Sequence, residues 1–182
     1  ARRIMLGKCL NAGQTCIAPD YVLLPEAQMQ GFIDAALAEV RQLYPSGVDS
    51  ADYSAIIDPR HYGRLQRVLE DAIAQGAHTV VLAGGASESA RKFAPTLVTG
   101  VNDDMRIMQE EIFGPLLPLV AYRDLGAVRE YVSARPRPLA LYYFDYDKAR
   151  IKRLLDESIA GGVTVNDTLF HIAQDELPFG GI

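Results

Sequence analysis

Leu116-Leu117-Pro118-Leu119-Val120-Ala121-Tyr122 is a near-continuous apolar run, and the elements downstream of it set the fold class. Asp124 opens a helix through about Ala134, residues 139–144 form a second apolar run, and Asp147 caps another helix. That helix carries a stripe of Ile151, Leu154, Leu155 and Ile159 up to Gly161-Gly162, and Val163-Thr164-Val165-Asn166 closes the series as a strand. Elements of these lengths alternate β-α-β-α-β, the pattern of right-handed parallel crossovers. Strands without polar alternation need cover on both faces. The chain therefore reads as α/β, a three-layer α/β/α domain with a mainly parallel sheet.

Upstream, residues 20–24 form a short strand between Pro19 and Pro25. From Glu26 a helical stripe runs through Met29, Phe32, Ile33, Ala36, Leu37, Val40, Leu43 and Tyr44, and Pro45 and Gly47 end it. Asp58 and Pro59 are an N-cap and a first-turn proline for a helix with the stripe Tyr62, Leu65, Leu69, Ala72 and Ile73, stopped at Gly76. Residues 79–83 and 93–98 read as strands, the second restricted at its start by Pro95. Residues 2–8 resemble the last turns of a helix, and Pro178-Phe179-Gly180-Gly181-Ile182 stops within a Gly-rich loop. The expectation is that residues 1–182 are one domain excised from a longer protein.

Composition narrows the function. With 182 residues, 49% of them hydrophobic, the chain can bury ~70% of its unfolded surface. A net charge of −5 and no Lys/Arg run speak against nucleic acid, and the apolar runs are too short to cross a bilayer. Two cysteines make no disulfide framework, so a reducing, cytoplasmic setting is expected. The spacing of Cys9 and Cys16 fits no zinc pattern, and no metal is expected.

Three stretches carry chemistry. In Asn11-Ala12-Gly13-Gln14-Thr15-Cys16 a cysteine follows a tight turn between a helix and a strand, where a thiol stays reachable. Backbone N–H groups in such a loop can stabilise a thiolate and then an oxyanion. A buried, inert cysteine is the alternative for Cys16 and the better reading for Cys9 within its helix. In Met108-Gln109-Glu110-Glu111-Ile112-Phe113-Gly114-Pro115 two carboxylates precede an aromatic and a Gly-Pro turn. A carboxylate there can accept from both hydroxyls of a ribose while Phe113 offers a flat face; a solvated acidic turn stands beside that reading. In the third stretch Asn166 ends the last strand, where open α/β sheets place ligands, and Phe170-His171 and Pro178-Phe179-Gly180-Gly181 lie beyond it. His171 reads as a surface or pocket-wall residue. No Ser/His/Asp triad, P-loop or G-x-G-x-x-G is present.

Taken together and in order, Asn-Ala-Gly-Gln-Thr-Cys, Glu-Glu-Ile-Phe-Gly-Pro and Pro-Phe-Gly-Gly resemble the aldehyde dehydrogenase superfamily over essentially the whole chain. Residues 108–118 and 138–142 resemble its class 3 branch, and Val-Asn-Asp-Thr with the following His171 is similar to the coniferyl aldehyde dehydrogenase group within it. The resemblance implies that Cys16 attacks an aldehyde and passes through a thiohemiacetal and a thioester to the acid. It implies that Glu111 holds the hydroxyls of the nicotinamide ribose of NAD or NADP and that Phe113 packs near the nicotinamide. It makes Phe179, with Phe170 and His171 beside it, a wall of the aldehyde pocket, and Asn166 a support of the catalytic loop. An aromatic or medium-chain aldehyde, coniferyl aldehyde among them, is the implied substrate, and the implied partner is a second copy joined through a sheet edge as a dimer. Most of the cofactor site, the general-base Glu and the oxyanion-hole Asn belong in this family to a preceding domain, so the chain alone is expected to fold without turning over aldehyde. A relative that passes its acyl group to coenzyme A or phosphate, and a non-catalytic α/β module with a structural cysteine, are the competing readings. Selective alkylation of Cys16 over Cys9 separates the enzyme from the module.

Overall fold

A computed structural model describes residues 1–181; the loop end read at Ile182 lies outside them. The chain divides into two compact units, Ala1–Arg123 and Asp124–Ile182.

The first unit holds α1 (Arg2–Cys9), β1 (Val22–Pro25), α2 (Met29–Leu43), α3 (Pro59–Ala74), β2 (His78–Val81), β3 (Thr96–Thr99) and β4 (Leu116–Tyr122). Its four strands lie in the order β1-β4-β3-β2, with β1 and β3 parallel to β4 and β2 antiparallel to β3. The sheet is thus mainly parallel, and β4, the apolar run at 116–122, is an inner strand. Pro118 explains how β4 can be inner and still contain proline. The β3 ladder ends at Val98 opposite Pro118, and the β1 ladder begins at Leu119 opposite Val22, so the missing N–H falls where β4 changes neighbours.

β3 and the first half of β4 are buried on both faces, as two covering layers require. The edge strand β2 departs from that expectation, with Val81 56% exposed. Its antiparallel link to β3 runs through residues 82–95 without a helix, so no crossover covers it. The strand predicted at 93–98 is shortened for a related reason. Pro95 accepts at its carbonyl from Leu82 N–H (2.8 Å), and the ladder starts only at Thr96.

The core of the first unit joins Ile4, Met5 and Cys9 of α1, Phe32, Ile33, Ala36 and Val40 of α2, Tyr62, Leu65, Val68 and Ala72 of α3, and the inner strands. α2 begins after a 3-10 turn at Glu26–Gln28, on Met29, the first residue of its stripe. α3 starts as read, Asp58 accepting from His61 N–H at 2.7 Å. Val68 occupies the buried face there, and Ile73 of the expected stripe is exposed.

The second unit holds α4 (Leu125–Ser133), β5 (Ala140–Tyr143), α5 (Lys148–Glu157) and β6 (Gly162–Val165), with β5 and β6 parallel. Asp124 and Asp147 cap their helices as expected, each accepting a backbone N–H. α5 stops at Glu157, short of the glycines, because Ser158 turns extended and its hydroxyl donates to Leu154 C=O. Ile159 therefore lies beyond the helix, and it and Leu155 are exposed.

Candidate functional site

The cysteine loop is built from an unfavourable backbone. After α1 ends at Cys9, Asn11 (φ 50°), Ala12 (φ 53°) and Gly13 (φ 73°) are left-handed in succession. Each non-glycine residue there costs about 1–2 kcal/mol, so the surroundings must hold the turn. Gln14 does much of this. Its N–H donates to Asn11 C=O (3.1 Å), and its Nε2 donates to Asn11 C=O (2.9 Å) and Ala55 C=O (3.0 Å). Its Oε1 accepts from Ile57 N–H (2.9 Å), so one amide ties the loop to residues 55–57 by donor and acceptor alike. The next turn, Ala18 N–H to Thr15 C=O (3.1 Å), buries Ile17 and leaves Cys16 exposed. Cys9 is buried, and that burial pushes its thiol up to about 12 against the opposing charge of Lys8. The two thiols are thus chemically unlike.

The Glu110-Glu111 stretch is distinguished by its partners. Glu110 is claimed twice, by Arg64 Nη1 (3.2 Å) and by Arg106 Nη2 (2.7 Å) and Nε (3.0 Å). Glu111 is exposed, and its carboxylate has no hydrogen-bond or ion-pair partner among the described residues. Its backbone is held nonetheless: Arg64 Nη1 donates to Glu111 C=O (3.1 Å), Arg64 Nη2 to Ile112 C=O, and Ile112 N–H donates to Asp20 Oδ1 (3.1 Å). Phe113 then takes φ 45° and is half-buried, a conformation a bulky residue rarely adopts.

Glycines bring these two stretches together. A Cβ on Gly13 would lie 2.3 Å from the Gly114 carbonyl oxygen and 3.1 Å from that of Lys8. A Cβ on Gly114 would in turn lie 2.5 Å from Leu65 Cδ2. The turn bearing Cys16 and the turn after Glu111 and Phe113 therefore meet backbone to backbone, which only glycine permits.

Beneath them lie two ionisable groups, Lys8 buried and Asp20 half-buried, that the sequence pattern did not single out. Lys8 is 1% exposed, and burial lowers its ammonium from 10.5 to about 8, with Asp20 and then Cys9 opposing. Burial also raises the Asp20 carboxyl, opposed by Lys8, the Ile112 N–H and Arg64. The folded chain releases the Lys8 proton near pH 8, while the unfolded chain keeps it to about 10.5. The stability gained on losing that charge is absent below pH 8 and accrues up to 10.5. Relative to K8M, wild-type stability is expected to rise by about 3 kcal/mol across this window, read by urea melts near its two ends. A flat difference contradicts the assignment; the tyrosines, which do not interact with Lys8, are common to both chains and cancel.

The third stretch is organised within the second unit. Asn166 (φ 60°) donates its N–H to Tyr143 C=O (2.8 Å). Its side chain accepts from Asp145 N–H (3.0 Å) and donates to Asp145 C=O (2.8 Å), so what it holds is the loop after β5. Asp145 is gripped there by Arg150 Nε (2.6 Å) and Nη2 (2.7 Å), and the guanidinium holds its carboxyl well below the usual carboxylate range. His171 Nδ1 meets Thr164 Oγ1 at 3.0 Å, and its ring covers Gly162, where a Cβ would lie 2.8 Å away. A Cβ on Gly180 would meet the Gly161 carbonyl oxygen. The segments carrying His171 and Phe179 thus both seat on Gly161-Gly162, while Phe170 and Phe179 expose their rings. Cys16, Glu111 and Phe113 stand in the first unit and Asn166, Phe170, His171 and Phe179 in the second.

Known proteins match this chain along its whole length. The aldehyde dehydrogenase family profile matches residues 1–182. A probable coniferyl aldehyde dehydrogenase of Pseudomonas aeruginosa is 52% identical over 182 residues, covering all of this chain and 38% of its own. Aldehyde dehydrogenase family 3 member A2 of Rattus norvegicus is 40% identical over 182 residues, with 36% of its length covered. Among solved structures, the substrate-bound state of Staphylococcus aureus AldH superposes with a TM-score of 0.92 at 40% identity, over 100% of this chain and 39% of that one. The chain spans somewhat over a third of the length of the curated relatives it matches. A family profile that matches the whole chain, on a fold that seats the turn of an exposed thiol against the turn of an unpaired carboxylate, shows that this chain belongs to the aldehyde dehydrogenase family.

Proposed function

We propose that the full-length protein is an NAD(P)-dependent aldehyde dehydrogenase and that this chain supplies its nucleophile and its contacts to the nicotinamide end of the cofactor. The observation that carries the reading is the glycine-to-glycine seating of the Cys16 turn on the Glu111-Phe113 turn. It joins the turn of an exposed thiol to the turn of a carboxylate whose oxygens are both unclaimed among the described residues. Cys16, as thiolate, adds to the aldehyde carbon, and the resulting oxyanion accepts from the loop's backbone N–H groups. NAD(P)+, its nicotinamide end held by Glu111 and Phe113, would supply the hydride acceptor that oxidation of the aldehyde carbon requires. The thioester left on Cys16 is then cleaved by water, which releases the carboxylic acid and returns the thiolate. Glu111 suits a vicinal diol, two acceptor oxygens on a clamped backbone, and Phe113 offers the neighbouring ring face. The similarity to a probable coniferyl aldehyde dehydrogenase favours an aromatic aldehyde as substrate.

The test is steady-state kinetics on the full-length protein with aromatic and aliphatic aldehydes. Glu111→Gln is expected to raise the cofactor KM about tenfold, since one charge-assisted acceptor is lost. Failure to form NAD(P)H and acid from any aldehyde overturns the proposal, and an unchanged cofactor KM in E111Q removes Glu111 from it.

A further inference from the structure

The stretch Glu110-Glu111-Ile112 is gripped from two sides, and the grip leaves one polar side-chain group unclaimed. On one side the Arg64 guanidinium spans three acceptors, Glu110 Oε2, Glu111 C=O and Ile112 C=O. On the other, Asp20 accepts the Ile112 N–H. Arg106 neutralises the remaining oxygen of Glu110. The carboxylate of Glu111 is what remains, exposed on a backbone that cannot turn.

Arg64 stands on α3, and its side chain is only 21% exposed, so these bonds are partly shielded from water. A planar fork matches several acceptors in one plane, whereas a lysine ammonium is a single point donor. The left-handed Phe113 next in the chain is strained, and strain persists only where neighbouring groups over-determine it. Anchoring the two carbonyls immediately before Phe113 does this. Leu65, next to Arg64 on the same helix, packs on Gly114 at the end of the same turn. One helical segment therefore sets both ends of the Glu111-Phe113 turn.

We propose that Arg64 is a positioning residue for cofactor binding: by holding Glu110, Glu111 and Ile112 it aims the Glu111 carboxylate at the nicotinamide ribose. This rests on Glu111 being the acceptor of the ribose hydroxyls. Arg64 itself touches neither cofactor nor aldehyde, so its effect falls on the cofactor KM and not on thiol reactivity.

The experiment is a double-mutant cycle in the full-length protein with R64A, E111Q and their combination, plus R64K. R64A is expected to raise the cofactor KM about tenfold and to leave the aldehyde KM and the alkylation rate of Cys16 within about twofold. R64K recovers part of the loss. In the E111Q background R64A adds no further rise, because the carboxylate it aims is gone. A raised cofactor KM in E111Q with an unchanged one in R64A overturns the proposal alone, as does a full additive effect of R64A in E111Q. An unchanged cofactor KM in E111Q overturns the ribose reading and the proposal with it. Should R64A not fold, R64Q, which keeps one amide donor, takes its place in the same cycle.

Discussion

Cys16→Ser is expected to lower kcat/KM for aldehyde oxidation by the full-length protein at least about a thousandfold, because a serine hydroxyl ionises far less readily than a thiol and is the weaker nucleophile. The same exchange is expected to abolish rapid alkylation by iodoacetamide at neutral pH. In the wild-type chain the label should appear on Cys16 alone. Cys9 is buried in α1 with its thiol pushed up to about 12, so it offers neither access nor thiolate. Two measurements therefore converge on one atom: NAD(P)H absorbance for turnover, and peptide mass for the labelled thiol. Equal slow labelling of both cysteines, or retained turnover in C16S, contradicts the assignment.

The next largest effect is expected from Gly13→Ala. A methyl there lies 2.3 Å from the Gly114 carbonyl oxygen, which is backbone, and Gly13 has φ 73°. Neither the contact nor the dihedral can relax without separating the two turns. A loss of about 3 kcal/mol or more is expected, with kcat falling as Cys16 is displaced from Glu111. Gly114→Ala serves as the graded comparison. Its methyl meets the end of the Leu65 side chain, which can shift, and Gly114 has no left-handed dihedral to strain. A smaller loss of about 1–2 kcal/mol is expected. Urea melts of the two variants read the order directly; G114A as damaging as G13A contradicts the backbone-to-backbone account.

Local pattern carried much of the fold. The Asp58-Pro59, Asp124 and Asp147 starts are where the sequence puts them, because a cap is a bond to an amide two or three residues on. β4 spans the whole 116–122 run because its apolar residues are contiguous. Where an element's limit depends on a distant partner, the pattern ran past it. β3 begins only where the β4 ladder can receive it, and α5 ends where a serine hydroxyl competes for a carbonyl.

The site divides in the same way. Residue types and spacing singled out Cys16, the pair Glu110-Glu111, Phe113, Asn166, His171 and Phe179, and resemblance chose Glu111 from the pair and supplied the roles. Lys8, Asp20 and Arg64 carried no such signal, because a charged residue on a helix or beside a strand looks solvated until its neighbours are known. The sequence by itself determined an α/β chain with a thiol in a tight turn, since periodicity, caps and turn residues act over a few positions. Only the tertiary structure decided which of two adjacent carboxylates is free. Glu110 is consumed by an arginine 46 residues away, and Glu111 is left open because the same guanidinium takes its carbonyl instead.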